Sequence, residues 1–266
     1  MKYVSLFFKG LVIGIGKVIP GVSGSFLAIS LGVYEETIQR LRCFKNHFKE
    51  NLFYFAPFIM GIVFSIIMGS QLLLFLYNQY YVYTMMLFLG LLLGTIPKVL
   101  RDHPLKFKDI LLVFLTFMGI VLLFSKVSFA HFLFQGSVLD YCFVFTLGFV
   151  EVVTTMIPGI SSTATYMMLG SYEFILNLFS NPFQNMWVLF FFMLGFILGF
   201  FLLIRVLSFL FLKNSASFWD IIYAFLFYAL YFLLLNVIQD FSSSNLLLIF
   251  ILVILGYRIG LLFSEE

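Results

Sequence analysis

Charge is scarce in this sequence: Asp, Glu, Lys and Arg make up 10% of its 266 residues, against 63% for the hydrophobic types. Soluble domains carry roughly 25% charged and 45–50% apolar residues, so 15 Lys and Arg with 12 Asp and Glu cannot cover a globular surface of this size. That excludes a soluble enzyme or nucleic-acid binder, and a net charge of +3 is too small to argue for a nucleic-acid partner. Cysteine is nearly missing as well. Cys43 lies in a basic loop and Cys142 in an apolar run, so there is neither a disulfide framework nor a CxxC motif. His47, His103 and His131 stand apart from one another and from any Cys, which leaves no support for a metal site or a His-based nucleophile. No P-loop is present, and no cofactor is called for. The basic start, Met1 to Lys9, is followed by no A-x-A-like cleavage site and is expected to be retained. Lipidation signals are lacking too: position 2 is not Gly and there is no terminal Cys.

What the chain has in abundance is apolar length. A bilayer takes about 17 to 25 helical residues, and runs of that order occur at 52–77, 81–100, 109–125, 186–204, 218–237 and 245–263. Six ordinary spans are predicted. Two further stretches, 10–35 and 141–173, are interrupted near their middles by Pro20-Gly21-Val22-Ser23 and Pro158-Gly159-Ile160-Ser161. The 39 Phe fit lipid-facing surface and define no binding site.

Lys and Arg in short loops resist translocation. They cluster before residue 10, at 40–49 and at 98–108, with Lys213 and Arg258 later, whereas 77–82, 126–140, 173–185 and 238–245 hold only Lys126. The first set of loops is therefore placed in the cytoplasm and the second outside. Both flanks of 10–35 are then cytoplasmic and both flanks of 141–173 external, so each broken stretch reads as a re-entrant hairpin. About ten residues on each side of a break, at about 1.5 Å per residue, reach half of a hydrocarbon core of about 30 Å. The competing reading is two full kinked spans.

The two broken stretches also resemble each other. At an offset of 138, Pro20-Gly21-Val22-Ser23 falls on Pro158-Gly159-Ile160-Ser161, Leu31-Gly32-Val33-Tyr34-Glu35 on Leu169-Gly170-Ser171-Tyr172-Glu173, and Gly10 on Gly148. Carried on without a gap, the same offset puts Gly61 on Gly199. The chain reads as one integral-membrane domain made of two repeats, 1–128 and 139–266, each a hairpin plus three spans. Three is odd, so the second copy starts from the opposite face. The predicted fold is an all-α polytopic membrane protein with an inverted repeat, an architecture common among secondary transporters. A duplicated membrane scaffold is the competing reading.

Each Pro-Gly-x-Ser break begins a new half-helix, with Ser23 and Ser161 as N-caps and Gly24, Ser25, Ser162 and Thr163 in the first turn. The free N–H groups and the macrodipole there favour an anion, phosphate included. The competing reading is that these hydroxyls and glycines satisfy backbone groups freed by the turn. Charged residues inside apolar runs are costly. Lys17 lies three residues before Pro20, Glu151 seven before Pro158, and Arg205 toward the inner end of its run. Lys17 and Arg205 are candidate phosphate ligands, with snorkelling to the interface the alternative for Arg205. Glu151 is a candidate proton carrier, or a partner for one of the two cations. Tyr34-Glu35 and Tyr172-Glu173 are expected to cap and anchor the hairpins at the interface.

With Lys9-Gly10, Ile19-Pro20-Gly21-Val22-Ser23-Gly24, Leu31-Gly32-Val33-Tyr34-Glu35 and Ile157-Pro158-Gly159-Ile160-Ser161, the sequence resembles the bacterial polyprenyl-phosphate transporter (PopT-type) family over nearly its whole length. The resemblance implies a translocase, not an enzyme, that returns undecaprenyl phosphate from the outer to the inner leaflet for reuse in cell-wall polymer synthesis. Its partners would be the bilayer and its lipid substrate, its place the cytoplasmic membrane, multi-pass with both termini cytoplasmic; a homo-oligomer is left open. The phosphate would meet Lys17, Gly21, Ser23, Gly24, Ser25, Gly159, Ser161, Ser162, Thr163 and Arg205. The alternatives are a secondary transporter or channel for a small water-soluble anion, an intramembrane lipid-phosphate enzyme, or a scaffold.

Overall fold

The computed structural model describes residues 2–20, 27–28, 31–42, 48–102, 104–105, 107–125, 132–156, 161–213, 215–239 and 245–262. Its named elements are helices: α1 (Lys2–Val18), α2 (Tyr34–Arg42), α3 (Phe48–Gln79), α4 (Tyr81–Asp102), α5 (Phe107–Ser125), α6 (Val138–Met156), α7 (Ser162–Met168), α8 (Tyr172–Ser180), α9 (Met186–Lys213), α10 (Ser215–Gln239) and α11 (Leu246–Leu262). The six apolar runs are α3, α4, α5, α9, α10 and α11. By length and composition α3, α4 and α6 can each cross a membrane, and shorter apolar segments lie in α5, α9, α10 and α11. The protein is an all-α polytopic membrane protein. Helices suit that setting because every mid-helix N–H and C=O is bonded within its own segment. The outer faces are apolar too: Met60, Phe64 and Leu72 on α3, Leu111 and Leu115 on α5 and Phe201 on α9 are exposed, as lipid contact requires.

The arms ahead of the two breaks exceed the expected ten residues. α1 has 17 and α6 has 19, whereas α7, behind the second break, has 7. The start of α6 is set by a reciprocal cap. Asp140 Oδ2 accepts from Ser137 N at 2.9 Å and Gln135 N at 3.0 Å, while Ser137 Oγ accepts from Asp140 N at 3.2 Å. α1 ends where it must: Pro20 supplies no N–H and disfavours helical geometry at the residue before it.

Behind each break the chain makes the same turn. Gly32 has φ 64° and Gly170 φ 63°, a left-handed conformation in which a Cβ would be strained. In the first, Leu31 N donates to Leu27 O and Val33 N to Ala28 O, both at 3.0 Å; in the second, Leu169 N donates to Thr165 O at 3.0 Å and Ser171 N to Tyr166 O at 2.9 Å. The longer-range bond of each pair is the one that closes a Schellman-type helix end. A helix restarts at once in both places, with Thr37 N to Val33 O and Ile175 N to Ser171 O at 2.9 Å.

Helix pairs follow a matching plan. α1 packs along α3 and α6 along α9; α4 packs along α11 and α5 along α10. The close crossings run through glycines, which let backbones approach where lipid supplies no hydrophobic drive between helices. A Cβ on Gly10 would strike the Phe58 carbonyl and one on Gly61 the Phe7 carbonyl; one on Gly148 would strike the Phe192 carbonyl and one on Gly195 the Phe145 carbonyl. The packing counterpart of Gly61 is therefore Gly195, not the Gly199 that a gapless offset selects. The first turn of α3 has no equivalent in α9, which has 28 residues against 32. Four residues are close to one turn, so the wrong glycine falls on nearly the same face. At the other crossing, Gly90 and Gly94 of α4 interlock with Gly256 and Gly260 of α11. The main core, with Phe88, Leu147, Met168, Leu176, Tyr223 and Leu233, lies among α4, α6, α7, α8 and α10.

Candidate functional site

The end of α1 meets α6 and α7. The last turn of α1 presents Lys17. Glu151 and Thr155 project from one face of α6, four residues apart. Lys17 Nζ donates to Thr155 Oγ1 at 2.7 Å and to Glu151 Oε1 at 3.2 Å, and Thr155 Oγ1 donates to the same carboxylate oxygen at 3.2 Å. The Lys17 and Glu151 side chains are 28% and 14% exposed, so the pair is largely withdrawn yet reachable. From α7, Tyr166 Oη lies 2.9 Å from Glu151 Oε2 and 3.2 Å from the Leu147 carbonyl. Each charge is thus matched by an opposite charge or by donors, which a low-dielectric setting requires.

The backbone at the end of α1 is held by the same region. Terminal helical carbonyls lack intrahelical partners. Thr163 Oγ1 donates to Lys17 O at 3.4 Å and Tyr172 Oη to Val18 O at 3.3 Å. The Tyr172 ring packs edge-on against Tyr77 and Phe88, at 5.7 and 6.2 Å between centroids. Tyr172 is accordingly a buried strut, whereas Tyr34, at the matching position, is exposed. Interface anchoring therefore does not describe Tyr172.

Of the residues singled out in the sequence, Lys17 and Glu151 are brought together as an ion pair. Ser161 is the N-cap of α7, its hydroxyl accepting from Ala164 N at 3.4 Å. Ser162 and Thr163 are buried in the first turn of α7. The hydroxyls of Ser161 and Thr163 thus serve the backbone. Gly21, Ser23, Gly24, Ser25 and Gly159 lie outside the described residues, and so does the side chain of Arg205, whose backbone belongs to α9. Sequence reasoning missed Thr155 and Tyr166. Thr155 was legible in principle, standing 138 positions after Lys17, the offset of the repeat. Nothing local marks Tyr166 among 14 tyrosines.

A family profile described as undecaprenyl phosphate translocase-like matches residues 13–245. The polyprenyl-phosphate transporter of Vibrio cholerae serotype O1 is 28% identical over 97 residues, which are 36% of this chain, and the match spans 30% of that protein's length. No solved structure matches the chain.

Proposed function

Because the chain belongs to the undecaprenyl phosphate translocase-like family, we propose that it carries a polyprenyl phosphate across the cytoplasmic membrane, from outer to inner leaflet, for reuse in cell-wall polymer synthesis. One observation carries the proposal at the level of chemistry: the Lys17 ammonium, withdrawn from bulk solvent, is held by Glu151 and Thr155. A phosphate monoester bears about −1.5 to −2 charges at neutral pH and competes with a single carboxylate for that ammonium. As the phosphate arrives, the Glu151 charge becomes unfavourable beside it, and proton uptake by Glu151 relieves the repulsion. Lys17 then holds the headgroup while the prenyl tail stays in lipid along the exposed apolar faces. Ser23, Ser25, Ser162 and the backbone after Pro20 and Pro158 complete the headgroup site in this reading, with Arg205 a further candidate. The driving force is a proton gradient or mass action.

Alternating access by an inverted repeat of two hairpin-plus-three-span halves completes the proposal. Several features support it. The turns at Gly32 and Gly170 share one hydrogen-bond pattern, and the glycine crossings of α1 with α3 and α6 with α9 share one register. The pairing of α4 with α11 and of α5 with α10 is what exchange of the third span between halves would give. The distribution of Lys and Arg supports cytoplasmic termini.

The test is reconstitution into liposomes with labelled undecaprenyl phosphate on one leaflet. Wild type should equilibrate the label faster than empty liposomes, and Lys17→Ala should not. A wild type no faster than empty liposomes overturns the proposal, and uptake of inorganic phosphate instead would assign a water-soluble anion.

A further inference from the structure

On Oε2, the oxygen that Lys17 and Thr155 leave, Glu151 meets a partner that the ion pair does not need. We propose that Tyr166 is a positioning residue that lets Glu151 hold or release a proton without leaving a polar group unmatched. This rests on the reading above, in which Glu151 takes up a proton when phosphate reaches Lys17. The Tyr166 hydroxyl has one hydrogen and two acceptors in range, Glu151 Oε2 at 2.9 Å and the Leu147 carbonyl at 3.2 Å. With Glu151 ionised, the phenol donates to Oε2, while Lys17 and Thr155 donate to Oε1. With Glu151 protonated on Oε2, the acid donates to the phenolic oxygen, and the phenol hydrogen turns to Leu147. A carbonyl has two lone pairs, so Leu147 can accept this bond beside its helical one. Rotation of one O–H bond therefore satisfies both charge states, and no heavy atom has to move.

The surroundings leave this role to Tyr166. Among the described residues, the titratable and charged groups facing Glu151 are Lys17 from α1 and Tyr166 from α7. Residues 186–202 of α9, which packs along α6, include no ionisable side chain, and the side chains of Arg205 and Lys213 farther along α9 lie outside the described residues. Tyr166 is itself buried, so no bulk water substitutes for its hydroxyl.

The experiment is infrared difference spectroscopy of the carboxylic-acid carbonyl stretch against pH, on the full-length protein in liposomes. Wild type should show a pH-dependent acid band that Glu151→Gln removes. Tyr166→Phe keeps the ring and loses the hydroxyl; its band should persist with a midpoint about one pH unit higher, because a bond to the charged form is worth more than one to the neutral form. The pH profile of lipid translocation should move with it. A band that Glu151→Gln removes but whose midpoint is unmoved in Tyr166→Phe overturns the role of Tyr166 and leaves the proton reading standing. Absence of any band removed by Glu151→Gln overturns both. Should Tyr166→Phe not fold, fluorotyrosine-labelled protein carries the test. Its stronger phenol donor moves the Glu151 midpoint downward, and an unmoved midpoint there overturns the proposal.

Discussion

Lys17 Nζ donates to Thr155 Oγ1 at 2.7 Å, joining two positions separated by 138 residues, the offset at which the two halves of the chain resemble each other. In the proposed inverted repeat these are equivalent positions, and such positions touch beside the axis that would relate the copies. The ammonium of one half and the hydroxyl of the other thus mark the place where the proposed phosphate site is closest to symmetric.

Exchange of the two side chains tests the proposed axis. Lys17→Thr should lower translocation at least tenfold. Lys17→Thr/Thr155→Lys returns an ammonium to the axis, four residues from Glu151 on α6, and should recover much of the loss in the liposome assay. A double variant no better than Lys17→Thr would remove the symmetric site.

Stability and function at the pair should separate. Lys17→Ala leaves Glu151 without its cationic partner and should cost about 3 kcal/mol, read as a lower unfolding midpoint in detergent. Lys17→Met/Glu151→Met replaces the pair by apolar volume and should restore the midpoint while translocation stays lost. Transport recovered along with stability would reduce the pair to a structural element.

The glycine crossing of α4 and α11 gives a packing prediction. A Cβ at Gly94 would collide with the Tyr257 carbonyl, whereas Gly119 on α5 has nothing within 4 Å. Gly94→Ala should destabilise by about 1–3 kcal/mol through overpacking, and Gly119→Ala should leave the midpoint in place or raise it, since alanine favours helix. Equal effects at the two positions would contradict the crossing.

Tyr172→Phe removes the hydroxyl that donates to Val18 O and should cost about 1 kcal/mol. Tyr34→Phe, at the matching but exposed position, should cost nothing measurable by the same denaturation. The difference separates a buried strut from an exposed residue.

Topology is checked by labelling. In a background lacking Cys43 and Cys142, Lys45→Cys and Asn177→Cys are treated with an impermeant maleimide on intact cells. Only the cysteine at 177 should react. Reaction at 45 would place the first hairpin's flanks outside and dissolve the inverted arrangement.

Much of this was readable in the residues. The six apolar runs became α3, α4, α5, α9, α10 and α11 because backbone satisfaction in lipid leaves a long apolar segment no choice but helix. The chain breaks after Val18 because Pro20 removes a donor and restricts its neighbour. Gly32 and Gly170 turn alike because the same Leu-Gly pair ends a helix in each half. These rules are local, acting over a few turns of chain.

The pairing of side chains is of another kind. Sequence by itself determined the class of protein, its helical segments, their breaks and the presence of three charges, Lys17, Glu151 and Arg205, in apolar surroundings. Tertiary structure decided that Lys17 meets Glu151 across 134 residues, that Thr155 and Tyr166 complete the pair, that Gly195 rather than Gly199 faces Phe145, and that Tyr172 is buried while Tyr34 is not. Hydropathy and backbone geometry act within a segment, whereas the partner of a buried charge is set by which segments pack together.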